Sequence, residues 1–385
     1  MRILRAMAVY QSLLLFLSGA CSTLWAASTQ KELDMGHSSI KIKPVSVFAV
    51  TSAVLTAVSL DQTGSRLAMS SIRGDSSVDI FNVQEKVVTA SVNSHYLDGT
   101  VTLNPDGTLV ATSKTIYGIE PMVELLSPRL PGVRTYSFDD QGRSMAILRV
   151  AKRVQSDHGS LLEVYDTRSW QRRLEINDKQ ISDICLSPDG GSLVIGTSIA
   201  AQYKLGTDAQ EHARQAIGAV ELLDSSSGKS LAGARFEANT LVQRVLCGSD
   251  GKHVIVITQP AAMDHFGPSR YTIRVLSATD QSLQPLPGTV QGIGPIRFAV
   301  LVANGTVLVH TMATEHVFKD DPGNRLVARA MPSLEVLADY DFPSGVFFRG
   351  LSGARKANTL AVITSKRIRR IESEQTMWIL ELTKE

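Results

Sequence analysis

Residues 184–197 set a pattern that the rest of the chain repeats. An apolar run leads into the polar turn Ser187-Pro188-Asp189-Gly190, and a second run follows in which Leu193 and Ile195 alternate with Val194. Proline presets the backbone angle at the second turn position and glycine tolerates a positive φ, so the stretch predicts a β-hairpin. Six further units share this plan. Their paired runs are 54–60 with 66–70, 100–103 with 109–113, 135–138 with 145–149, 242–246 with 253–258, 296–300 with 307–311, and 346–351 with 359–364. Each pair is separated by a turn rich in Asp, Asn and Gly, such as Asn104-Pro105-Asp106-Gly107 or Asp139-Asp140-Gln141-Gly142. Alternation with a period of two is the signature of strands with one face on each side of a sheet.

The first six units continue into a third apolar run and a weaker fourth. Residues 161–165 pass through Asp166-Thr167-Arg168-Ser169 to 170–176, and residues 220–223 pass through 224–228 to 230–236. The seventh unit has a third run at 377–382, after which the chain stops without a fourth. Upstream of the first unit, residues 40–50 form a spare strand. Ile40 and Ile42 alternate with Lys41 and Lys43, and the alternation slips by one residue at Pro44, which predicts a bulge. Proline cannot donate to a ladder and lysine discourages foreign pairing, so this strand belongs at a sheet edge.

The Ser-Pro-Asp-Gly-type turns and the segments Val-Tyr-Asp-Thr…Trp and Leu-Leu-Asp-Ser-Ser-Ser-Gly-Lys resemble those of the WD40 and YVTN-like β-propeller superfamily. The Gly-His and Trp-Asp dipeptides of eukaryotic WD40 blades are absent, so the looser bacterial branch is the better comparison. The resemblance implies an all-β fold, a seven-bladed β-propeller of four-stranded antiparallel blades. In such a ring one blade is assembled from both chain ends. The strand at 40–50 would then supply the missing outer strand of the seventh blade, leaving residues 40–385 as a single domain. These motifs specify a fold and leave the activity open.

Composition adds limits. A 43% apolar share is ample for a core, and a net charge of +2 carries no field suited to wholesale nucleic-acid binding. Arg2 and Arg5 precede an apolar stretch that ends in Ser18-Gly19-Ala20, the form of an export signal spanning residues 1–20. Cys21 follows Leu-Ser-Gly-Ala, which resembles a bacterial lipobox except that Leu17 stands one residue too early. The expected location is the periplasm, the outer membrane through a lipid on Cys21, or the exterior. Residues 21–39 read as a polar tether. Cys185 and Cys247 lie on neighbouring inner strands, at positions that point to opposite sheet faces. They are therefore expected to be two buried free thiols.

The candidate chemistry lies in insertions. The interval between turn glycines widens from Gly107–Gly142 to Gly190–Gly251, and the added length falls between the second and third runs of five consecutive units, at 151–160, 200–217, 260–270, 313–325 and 366–375. Such connections share one end of a propeller with the blade-to-blade links, and insertions gathered on one face commonly mark a binding face. The candidate binding residues are Arg149, Lys152, Arg153, Tyr203, His212, His265, Phe266, His316, Phe318, Arg367, Arg369 and Arg370. Asp208, Glu211 and His212 lack a second cluster for metal, and Asp320-Asp321-Pro322-Gly323-Asn324 does not follow the calcium-loop spacing. No haem-attachment motif, nucleophile elbow, phosphate loop or zinc-protease motif occurs. The expectation is a non-enzymatic binding or scaffolding module with no cofactor and no metal, engaging a protein partner or envelope component. The competing expectation is a propeller hydrolase, lactonase or dehydrogenase-like enzyme working at the channel mouth.

Overall fold

The structure, a computed structural model, describes residues 40–50, 54–73, 75–94, 100–126, 132–150, 159–199, 215–261, 270–279, 282–294, 296–312, 325–343, 345–367 and 373–384. The signal, the tether and Cys21 lie outside them, as do most residues of the five long connections. No helix among the described residues is long and apolar enough to cross a membrane.

Seven antiparallel sheets form a ring, and in six of them the strands follow chain order. The inner strands are Val54–Leu60, Val101–Leu103, Val133–Phe138, Ile181–Leu186, Thr240–Cys247, Ala299–Val302 and Val346–Gly353, numbered here as blades one to seven. In blade five the outer strand is split, with Gln284–Pro285 and Val290–Ile293 both pairing with Arg270–Ser277. Blade seven is completed by Ile40–Val50, which pairs with Ser373–Lys384 along its length. The register slips between Pro44 and Ser46, where the slip in alternation predicts it. The first and last described strands are thus joined in one sheet.

Blades stack face against face, so each strand sends alternate side chains to two neighbours. Ile184 and Leu186 pack with Leu148, Leu162 and Val164 of blade three. Cys185, one residue away, packs with Val242, Val245 and Val254 of blade five. Each fully buried Leu, Ile or Val contributes roughly 1.5–3 kcal/mol, so the core is a chain of inter-blade seams.

The turns between first and second strands meet at one end of the ring. Gln62 N–H donates to Pro105 O, Asp140 N–H to Pro188 O, Lys356 N–H to Gln62 O and Asn304 N–H to Arg355 O. Close approach explains the turn glycines: a Cβ on Gly190 would lie 2.7 Å from Asp139 Oδ2, and its φ is +74°. Arg355 reaches across this end from blade seven. Its Nη1 lies 2.7 Å from Asp140 Oδ1 in blade three. Its Nε donates to Ser249 Oγ and its Nη2 to Cys247 O in blade five. The turn end of the channel is tied by this one guanidinium.

Cys185 and Cys247 form a disulfide with a Cα–Cα distance of 5.9 Å, which corrects the expectation of free thiols. Their opposite facing is what permits it. In stacked blades the face that one sheet turns forward meets the face that the next turns back. The same relation carries hydrogen bonds elsewhere in the ring. Leu60 N–H donates to Ser352 Oγ, Leu103 N–H to Ser59 Oγ and Leu186 N–H to Ser137 Oγ. Cys185 stands at the serine position of this repeat and Cys247 at the leucine position.

Candidate functional site

The second and third strands of blades three to seven end at the face opposite the turns, where Val150 pairs with Ser160, Ile199 with Ile217, Met312 with Arg325 and Arg367 with Ser373. The long connections leave from these ends. Blades one and two are tight there, with Arg73 opposite Asp75 and Ala111 opposite Ile116. The points from which the insertions depart therefore trace a crescent over five blades, at the end from which the inner strands set out.

Inside the crescent the channel opens as a cavity of about 560 Å³ contributed by blades three to six. A repeated backbone device shapes it. The inner strands of blades one, three, four, five and seven each carry a bulge, at Thr56, Arg134, Ser182, Gln243 and Arg349. A bulge leaves one residue out of the ladder and re-aims its side chain. Arg134, Ser182 and Gln243 line the cavity, joined by Asp183, Arg244 and Arg297.

The electrostatics of this mouth are lopsided. Asp183 is the one carboxylate in the lining among the described residues, and it is buried. It accepts the Val245 amide at 2.9 Å and has Arg244 Nη1 at 3.9 Å. Burial pushes its carboxyl above the ordinary range, offset in part by Arg244 and by backbone amides. Arg134 and Arg297 are exposed and have no acidic partner among the described residues, and the same holds for Arg349 at the equivalent position of blade seven. Guanidinium groups with free donors are ready for carboxylate or phosphate oxygens, which they bind through paired hydrogen bonds.

The binding residues expected from sequence fare differently. Lys152, Arg153, Tyr203, His212, His265, Phe266, His316, Phe318, Arg369 and Arg370 lie outside the described residues, as do the Asp208 and Asp320 clusters. Arg367 ends the strand Thr359–Arg367 at the crescent face. Arg149 is not part of an exposed basic rim. It is 2% exposed, with Nη2 2.8 Å from Glu163 Oε2 in a contact without hydrogen-bond alignment, and its Nε is buried without a partner. Glu163 is held further by Arg172 at 3.1 Å and by the Tyr165 hydroxyl at 3.0 Å. Every residue of this strand from Ser144 to Arg149 is buried, so both of its faces are covered.

Sequence reasoning missed the arginines of the mouth. Aligning the seven inner strands on their turns would have singled out Arg134 alone of the three, because it shares with Gln243 and Arg349 a position five residues before the first residue of the turn, whereas Arg244 and Arg297 do not. The recurring Asp of the outer turns is structural. Asp224 accepts the hydroxyls of Ser226 and Ser227 and also their amides, and these hydrogen bonds hold its carboxyl below the usual range.

One polar cluster lies away from the mouth. His310 is fully buried between blades, its Nε2 accepting from Arg329 Nε at 3.0 Å and its Nδ1 lying 3.2 Å from Thr311 O. Tyr271 stacks edge-on to its ring at 5.9 Å. Burial lowers the imidazole to about 4, and the adjacent Arg329 lowers it too. Among the described residues no three His, Cys, Asp or Glu side chains gather as a metal site would require.

Comparison with solved structures finds the hydrazine synthase of Kuenenia stuttgartiensis, with a TM-score of 0.57 and 14% identity over 80% of this chain and 92% of that one. At that identity the likeness concerns the fold. No family model matches the chain, and no curated protein sequence matches it.

Proposed function

We infer that this chain is an exported binding module, a propeller of the looser bacterial WD40 and YVTN-like kind that engages a protein partner or envelope component through its crescent face. One observation carries the reading. The insertions of five consecutive blades leave from the same end as the open, arginine-lined channel mouth, while the opposite end is tied by its turns and Arg355. A rigid ring that positions variable loops suits recognition, with affinity set by a few anchors. Export is supported by the signal-like residues 1–20 and by the Cys185–Cys247 disulfide, a bond that persists in oxidising compartments. A lipid on Cys21 would tether the ring through residues 21–39.

The competing reading, an enzyme at the channel mouth, draws on the same cavity. Affinity capture of the protein from its own cell envelope, with mass analysis of its N-terminus, separates the two. The binding reading expects a reproducible partner that is lost when the connections at 200–214 and 313–324 are shortened to Gly-Ser links. Stoichiometric metal on the purified protein with no reproducible partner would overturn it.

A further inference from the structure

The mouth of the channel has a chemistry of its own. Among the described residues, three guanidinium groups, Arg134 of blade three, Arg244 of blade five and Arg297 leading into blade six, line one cavity with a single carboxylate. That carboxylate, Asp183, is already engaged by the Val245 amide and by Arg244. Arg134 and Arg297 are exposed and have no counter-charge among the described residues. Blade five places Gln243 in the cavity by a bulge beside Arg244, and blade three places Arg134 itself there by a bulge. Arg134 and Arg244 stand on strands of two blades and Arg297 on the segment that enters a third, and an anion between the guanidinium groups relieves their mutual repulsion. Gln243 and Thr135 add neutral polar groups, and Leu241 and Ile296 add apolar wall.

We propose that this cavity is a binding site for a small organic anion bearing carboxylate or phosphate groups, seated on Arg134, Arg297 and Arg244. Arg134 and Arg297 bind the charged groups directly. Arg244 contributes its remaining donors, with Asp183 fixing its position. The proposal deepens the binding-module reading by naming a ligand class for the centre of the crescent.

The test is isothermal titration and thermal unfolding of the full chain with citrate and, separately, inorganic pyrophosphate, each against sodium chloride at equal ionic strength. Saturable binding of at least one probe is expected, with the preferred probe distinguishing carboxylate from phosphate. The Arg134→Gln/Arg297→Gln variant, altered only at exposed side chains, should keep its unfolding midpoint and weaken that binding at least tenfold. No saturable binding beyond the chloride control, or equal binding by the variant, would overturn the site. Partner capture by the same variant distinguishes the two readings. Wild-type protein that captures its partner but binds neither anion removes this site alone, whereas capture that persists undiminished in the loop-shortened protein removes the wider reading.

Discussion

His310 shows how a single buried residue makes the fold sensitive to acid. Its Nε2 accepts from Arg329, so the imidazole is neutral, and protonation would set two cations side by side inside a seam. An unfolded histidine takes its proton near pH 6.5, whereas this one does so only near 4. Between those values the unfolded state binds more protons, so stability falls as pH drops through this window and is fully present above it. The expected loss from pH 7 to pH 4 is about 3 kcal/mol. Urea unfolding at the two pH values checks it: His310→Gln, which keeps an acceptor for Arg329, should show a correspondingly shallower acid dependence than wild type. An identical slope in both proteins would assign the acid sensitivity to other groups. Arg149 gives the opposite lesson: beside a long insertion it reads as a rim charge, yet it lies in a strand buried on both faces.

At the scale of elements, the seams between blades reuse one contact. A side chain one residue before the end of an inner strand reaches the last residue of the next inner strand. Serine makes that contact at three seams and a disulfide makes it between blades four and five. The bond closes a loop with a sequence separation of 62. Loop-closure entropy of that length corresponds to about 4 kcal/mol. Cys185→Ser/Cys247→Ala should therefore lower the denaturant midpoint substantially, and peptide mapping without reduction should recover the two cysteines cross-linked in the wild type. Recovery of both as free thiols from protein taken from the envelope would contradict the bond. The cysteines were visible in the sequence, but their pairing depended on which faces of two separate sheets meet, and alternation within one strand does not reveal that.

The whole molecule depends on its closure. Ile40–Val50 pairs with Ser373–Lys384, and Ile42 enters the seam between blades six and seven. A chain lacking residues 40–50 would expose the ladder of its last strand, an unpaired edge that invites pairing between molecules. Such a truncation is expected to lower the thermal midpoint by at least about 10 °C and to form oligomers, read by scanning calorimetry and size-exclusion chromatography. A stable monomer with the wild-type midpoint would mean that closure is dispensable. The missing fourth run of the last unit and the spare first strand were both legible in the sequence, because strand number and edge chemistry are local properties.

The sequence by itself determined the repeat, the number of blades, the bulge at Pro44 and the closure by Ile40–Val50. Each follows from period-two alternation and turn chemistry, which act over a few residues. Only the tertiary structure decided that Cys185 meets Cys247, that Arg149 is buried against Glu163, and that Arg134, Arg244 and Arg297 share one cavity. Those groups are brought together by ring curvature and inter-blade register, which join residues far apart in the chain and leave no local signal.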